Sequence, residues 1–352
     1  AAHRPKSSTG GVGLINGGAT CYLNALLQIL YGTDTFRAQV LAQDLVPERC
    51  TGRSILYQLQ LLFSFLASSE RPAVDTTALT KSFGWGHTEM GIQHDVQELQ
   101  RVLFAELEKQ IQELNTANFL ANLYEGQLRD YVTCLHCHCT QERIVGYQDV
   151  SLPVKGSRDL QEALRRFTEP ELLHGDNQYQ CSFCKGKHNA RKGLWFRTMP
   201  HVLTLHLQLF RYDTATLQRV KIHDRMRVPL TLNPADFISE DSGPEIDPDR
   251  NPTPSSQPGH YELTGVLLHA GSAGHGHYTA CTRREGQWLQ FNDETVSALG
   301  LAELQQYLDP TPTLNSDSDP IAPVGLSAPD GLSASATPRR GPANEGGPAE
   351  GP

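Results

Sequence analysis

The chain has 352 residues, 38% of them hydrophobic, and a formal net charge of −9. That length supports one large domain or two ordinary ones, with apolar residues enough for a full core. The acidic balance argues against nucleic acid or an anionic membrane as the main partner. No apolar run approaches the roughly twenty residues needed to span a bilayer. The opening stretch Ala1–Gly10 is polar and basic and shows no signal segment. Of eight cysteines, four form two Cys-x-x-Cys pairs. The expectation is a soluble monomer of the cytoplasm or nucleus with reduced thiols.

A Gly-rich loop from Gly13 leads to Cys21, with Thr20 as the expected N-cap of a helix. Leu23, Leu26, Leu27 and Leu30 follow the i, i+3, i+4, i+7 spacing of a core-facing helix. Cys21 therefore stands at its first turn. There the unpaired N–H groups and the macrodipole favour a thiolate, the nucleophilic form. Ser54–Ala67 reads as a second helix, and Leu79–Trp85 as a short apolar stretch. Gln93–Leu114 reads as a long helix with Val96, Leu99, Leu103 and Leu107 on its buried stripe, joined by Val102.

The pattern changes at Tyr124. Gly126–Cys134 alternates like a strand, and Ile144–Pro153 resembles another. Leu160–Phe167 is a short helix, followed by strand-like Val202–Phe210 and Val220–Val228. Glu240–Gly259, rich in Pro, Asp and Ser, reads as a mobile insertion. Strands are expected at Tyr261–His269, Tyr278–Arg283 and Gln287–Phe291, and a last helix at Leu301–Leu308. Residues 310–352 are Pro, Gly, Ala and Ser with scattered charge and are expected to be a disordered tail. Residues 1–9 are expected to be flexible. The folded unit is then 10–309, helical first and β-rich after.

A cysteine nucleophile needs a base, and the base needs a group that orients it. Of fourteen histidines, His277 stands where a Gly-rich loop meets a strand. His275 has Gly on both sides and is the looser of the two in that loop. Phe291-Asn292-Asp293 follows at a hairpin's distance, so Asn292 or Asp293 can accept the Nδ1–H of the imidazole and fix its tautomer. The order Cys, His, Asn/Asp is that of papain-like proteases.

Cys134-x-x-Cys137 and Cys181-x-x-Cys184 have the spacing of two knuckles that hold tetrahedral zinc. Cys139 and His136 lie close enough to compete as ligands. The site reads as structural. Asp95 and Glu98, three apart, are expected to share a helix face.

Three boxes resemble the ubiquitin-specific proteases, the papain-like deubiquitinating enzymes. They are Gly13-Leu14-Ile15-Asn16 through Leu30, Gln93-His94-Asp95-Val96-Gln97-Glu98-Leu99, and Gly276-His277-Tyr278 to Phe291-Asn292-Asp293. The resemblance covers nearly all of 10–309. Further stretches, such as Ser82-Phe83-Gly84-Trp85 and Asp176-Asn177-Gln178-Tyr179, point to one branch of the family. Asn24-Ala25, Gln208-Leu209-Phe210 and His275 depart from the usual family pattern.

The resemblance implies an α+β fold of thumb, palm and fingers, with the helical thumb at 10–124 and fingers and palm at 125–309. It implies ubiquitin and ubiquitinated proteins as partners and cleavage after ubiquitin's last glycine. Cys21 would attack, His277 would act as base and then acid, Asn292 and Asp293 would assist it, and Asn16 would stabilise the oxyanion. Gln93, Asp95 and Glu98 would line the channel for ubiquitin's basic tail. A catalytically weak ubiquitin-binding scaffold of the same fold is the alternative.

Overall fold

The computed structural model describes residues 6–45, 54–84, 95–215, 217–237, 259–273, 276–309 and, as backbone, 321–327. The expected insertion at 240–259 lies outside these residues, apart from Gly259. The described fold is mixed helix and sheet, with most helices before residue 125 and most strands after it.

Five expected helices are present, at Cys21–Gly32, Ile55–Ser68, Val96–Glu113, Leu160–Thr168 and Leu301–Leu308. The second begins where the Ser54 side chain accepts the Tyr57 N–H, and the third where Asp95 accepts that of Gln97. Leu23, Leu26, Leu27 and Leu30 are buried, as are Val96, Leu99, Leu103 and Leu107. Val102 does not join that stripe: it is 48% exposed. It lies three residues after Leu99, but the buried stripe continues through Leu103. Phe36 packs among Phe63, Phe104, Phe119 and Tyr124, which ties four of the N-terminal helices together.

The larger sheet has eight strands. In order across it run Thr295–Ala298, Gln287–Asn292, Gly276–Arg284, Tyr261–Gly271, Ile321–Ser327, Val202–Gln208 and Val150–Pro153, with Thr231–Leu232 also paired to Tyr261–Gly271. The Cys21–Gly32 helix packs across Gly276–Arg284. A second sheet orders Thr140–Tyr147, Gly126–Cys134, Ala190–Thr198 and Glu171–Leu173.

Three expectations fail. Ile144–Pro153 is not one strand: it breaks at Gln148 and Asp149, and its halves join different sheets. The Asp149 carboxylate accepts hydrogen bonds from Gln97 and Arg101, which turns the chain toward the long helix. Of the expected strand Val220–Val228 only Val220 and Lys221 belong to one, the end of Gln218–Lys221, which pairs with Phe210–Asp213. The tail expected to be disordered contributes Ile321–Ser327 to the middle of the large sheet, antiparallel to both neighbours. That segment could not fold alone, but two strand edges supply its backbone with partners on each side.

Candidate active site

Cys21 is the first residue of its helix and is 4% exposed. Thr20 precedes it but does not cap it through its side chain. Its hydroxyl instead donates to Asn16 Oδ1 at 3.2 Å and accepts the Gly17 N–H at 3.0 Å. The first helical N–H groups are thereby left for the sulfur. The Cys21 and Tyr22 N–H groups both face it, and so does that of Tyr278 from the neighbouring strand.

These donors do not prevail. Burial pushes the Cys21 thiol above its ordinary value, with the Asp293 charge adding to the rise and the three N–H groups opposing it. The expectation that the helix start alone yields a thiolate is thus corrected: desolvation outweighs it, and a base must take the proton.

His277 sits at the start of Gly276–Arg284, directly before Tyr278. The residue whose N–H faces the Cys21 sulfur is thus the chain neighbour of His277. The ring engages its partner through Nε2, 2.6 Å from Asn292 Oδ1. This corrects the Nδ1 expectation. Asn292 ends the next strand, and Nε2 is the ring nitrogen farther from its own backbone, so it reaches across. With Nε2 carrying the proton, Nδ1 is the atom left to accept one. His275 lies outside the described residues.

Asp293 is 4.0 Å from His277 Nε2. Its carboxylate is held instead by two amides of the cysteine segment: Asn16 donates to Oδ2 and Asn24 to Oδ1, each at 2.8 Å. Its carbonyl accepts the Leu14 N–H at 2.9 Å. Asp293 turns the chain with φ of 48°, a conformation that Asp tolerates. A Cβ on Gly13 would stand 2.6 Å from the Asp293 carbonyl oxygen, so only glycine permits this approach. Asn16 Oδ1 accepts the N–H groups of Gly18 and Thr20, which folds the loop before Cys21.

Asn24 was not singled out from the sequence as a site residue. Its signal was a buried polar side chain inside an apolar helix.

Asp95 and Glu98 stand at the head of the long helix, but only Glu98 is within it. Asp95 precedes the long helix as its cap, and its Oδ2 accepts from Arg219 Nη2 at 3.0 Å. Glu98 is exposed in the first turn. Gln93 lies outside the described residues.

Cys134, Cys137, Cys181 and Cys184 bring their sulfurs within 4.8 Å of one another. Two pairs stand at 3.6 and 3.9 Å, from Cys137 to Cys181 and from Cys134 to Cys184. Tetrahedral zinc at about 2.3 Å from each sulfur requires about 3.8 Å between them, so the four fit such an ion. Backbone N–H groups of Cys184 and Phe183 pull the Cys181 thiol down to about 6. Cys139 stands outside the four. His136 and His188 instead group with Cys184.

The sequence model of one family, described as ubiquitin carboxyl-terminal hydrolase, matches residues 12–314. Ubiquitin carboxyl-terminal hydrolase 47 of Homo sapiens is 38% identical over 86% of this chain and 26% of its own length. That of Drosophila melanogaster is 37% identical, over 84% of this chain and 23% of the relative. Ubiquitin carboxyl-terminal hydrolase 5 of Schizosaccharomyces pombe is 38% identical, over 85% and 26%. The chain spans about a quarter of the length of these relatives. A family match across the cysteine helix, the histidine strand and nearly everything between them leaves one conclusion: the chain belongs to the ubiquitin carboxyl-terminal hydrolase family.

Proposed function

We propose that the chain is a thiol protease domain that hydrolyses the peptide or isopeptide bond after the C-terminal glycine of ubiquitin. The observation that carries this is the pairing of His277 Nε2 with Asn292 Oδ1 at 2.6 Å, beside a Cys21 sulfur facing the next residue's N–H. His277 Nδ1 takes the Cys21 proton as the sulfur attacks the glycine carbonyl carbon. The C–N bond then breaks, and the leaving amine takes the proton from His277. Water, deprotonated by the same ring, hydrolyses the thioester and frees the carboxylate.

Asn292 holds the tautomer that makes Nδ1 the acceptor. Asn16 has one amide N–H on Asp293, and its second N–H is the oxyanion donor, a role worth ~3 kcal/mol in other enzymes. Asp293 acts mainly on the cysteine segment, keeping Asn16 and Asn24 in place.

The four grouped cysteines bind zinc, whose contribution is to folding rather than to the reaction. The helical part, the large sheet and the cysteine-bearing sheet serve as thumb, palm and fingers. Glu98, exposed at the head of the long helix, meets the basic tail of ubiquitin. Asp95 reaches that tail only in competition with Arg219.

The test is a ubiquitin bearing a C-terminal electrophile. Covalent labelling of Cys21, lost in Cys21→Ala, is the expected result. Tight binding without labelling would favour the scaffold reading, and neither binding nor labelling would overturn both.

A further inference from the structure

We propose that Lys221 is a positioning residue that holds the strand opposite His277 and thereby sets the imidazole. The inference rests on the reading of Cys21 and His277 as nucleophile and base.

Lys221 ends the Gln218–Lys221 strand and is 5% exposed. Its Nζ donates to the carbonyl of His269 at 2.9 Å and to that of Gly271 at 3.0 Å. Those two residues flank Ala270, and Ala270 is the register partner of His277. The ammonium thus clamps the outer side of one strand at the point where its inner side meets the base. At Gly271 the backbone leaves the strand with φ of +94°, so the clamp sits where fraying would begin.

The residues around the clamp transmit its position. His269 packs edge-on against Phe210, with ring centres 5.1 Å apart, and against Tyr278 at 4.7 Å. Gly276 lies so close to the His269 ring that a Cβ there would collide with it. The residues on either side of His277 therefore rest on His269, whose carbonyl Lys221 holds. Tyr278 in turn aims its N–H at the Cys21 sulfur.

Burying an ammonium is costly, and an apolar side chain would pack this position without that cost. What a cation adds is direction: its N–H donors fix two carbonyls at once. A displacement of a fraction of an ångström at a catalytic base is enough to slow a reaction.

Lys221→Met removes the donors and keeps a chain of similar length. Lys221→Arg keeps donors for both carbonyls. The readouts are kcat and KM on a ubiquitin substrate, the neutral-pH rate of Cys21 alkylation by iodoacetamide followed by peptide mass spectrometry, and thermal melting. Lys221→Met is expected to lose at least tenfold in kcat with KM within about twofold, and to slow Cys21 alkylation. Lys221→Arg is expected to recover most of both.

Wild-type kcat in Lys221→Met would overturn the proposal. So would a loss carried by KM, or one that tracks melting and is not rescued by Arg. Should the Met variant fail to fold, Lys221→Gln keeps an amide donor on a shorter, uncharged side chain and is judged on the same readouts, with an intermediate kcat expected. Alkylation needs no ubiquitin. A failure of the ubiquitin electrophile to label wild type therefore counts against the proposed function, while the alkylation series still decides the role of Lys221.

Discussion

Asn24 and Asp293 are 269 residues apart and share a 2.8 Å hydrogen bond from Nδ2 to Oδ1. The bond joins the buried side of the cysteine helix to the hairpin that follows Asn292. Together with Asn16 on Oδ2, it makes Asp293 the staple between the two ends of the site.

Removing that staple separates two roles that the sequence leaves together. Asp293→Ala strands a buried amide and is expected to cost about 1–3 kcal/mol of stability, with a fall in activity. Asn292→Ala loses the tautomer control and is expected to lower kcat about 10²-fold with little change in melting temperature. Melting curves and kcat for the two variants decide this. Equal effects of both on melting would refute the division.

Asp95 and Glu98 are expected to part in the same manner. Asp95→Ala loses a helix cap worth about 1 kcal/mol and should register in stability. Glu98→Lys should leave stability alone and raise KM for ubiquitin substrates, with wild-type KM rising with salt. A KM insensitive to salt and to Glu98→Lys would remove Glu98 from the tail channel.

Metal removal should act at a distance from the reaction. Strong chelation, or Cys181→Ser, is expected to loosen Gly126–Cys134 and Ala190–Thr198, the strands that lead into the cysteine cluster. Hydrogen exchange would show lost protection there before any in the Cys21–Gly32 helix. Metal analysis of reduced protein that finds no zinc would contradict the assignment.

Cys281, fully buried on the histidine strand, gives a pH prediction. Burial pushes its thiol up to about 12, against an ordinary value near 8.5. The folded state keeps this proton at pH values where the unfolded chain has lost it. Its contribution is whole below about pH 8.5 and declines as pH rises toward 12. Cys281→Val should flatten the alkaline fall in stability, measured by denaturant midpoints between pH 8 and 10. An unchanged slope would count against it.

The tail strand sets the last expectation. A chain ending at Asp309 leaves Tyr261–Gly271 and Val202–Gln208 without the strand that joins them. It is expected to aggregate or to melt well below a chain ending at Asp330. Equal melting would show the strand to be dispensable.

Legibility from sequence followed the range of the interactions. The cysteine helix, the Gly126–Cys134 strand and the Leu301–Leu308 helix are written in local periodicity and appear where expected. Asp149 is different: its carboxylate binds Gln97 and Arg101 about fifty residues away, and no local pattern announces a break there. Asp95 reads locally as a helix-face acid because its Arg219 partner is 124 residues off. Ile321–Ser327 is the extreme case. Its Pro323 and Gly325 disfavour a central strand, and only the two waiting edges overrule them.

That strand also sets a clock. The ribosome makes Cys21 well before the strand that fills the sheet beneath His277, for Ser327 emerges roughly 300 residues later. At 5–20 residues per second, the interval is roughly 15–60 s. Through that time Cys21 exists without its finished support. A nascent chain therefore carries Tyr261–Gly271 and Val202–Gln208 as open strand edges until its own synthesis has passed Ser327.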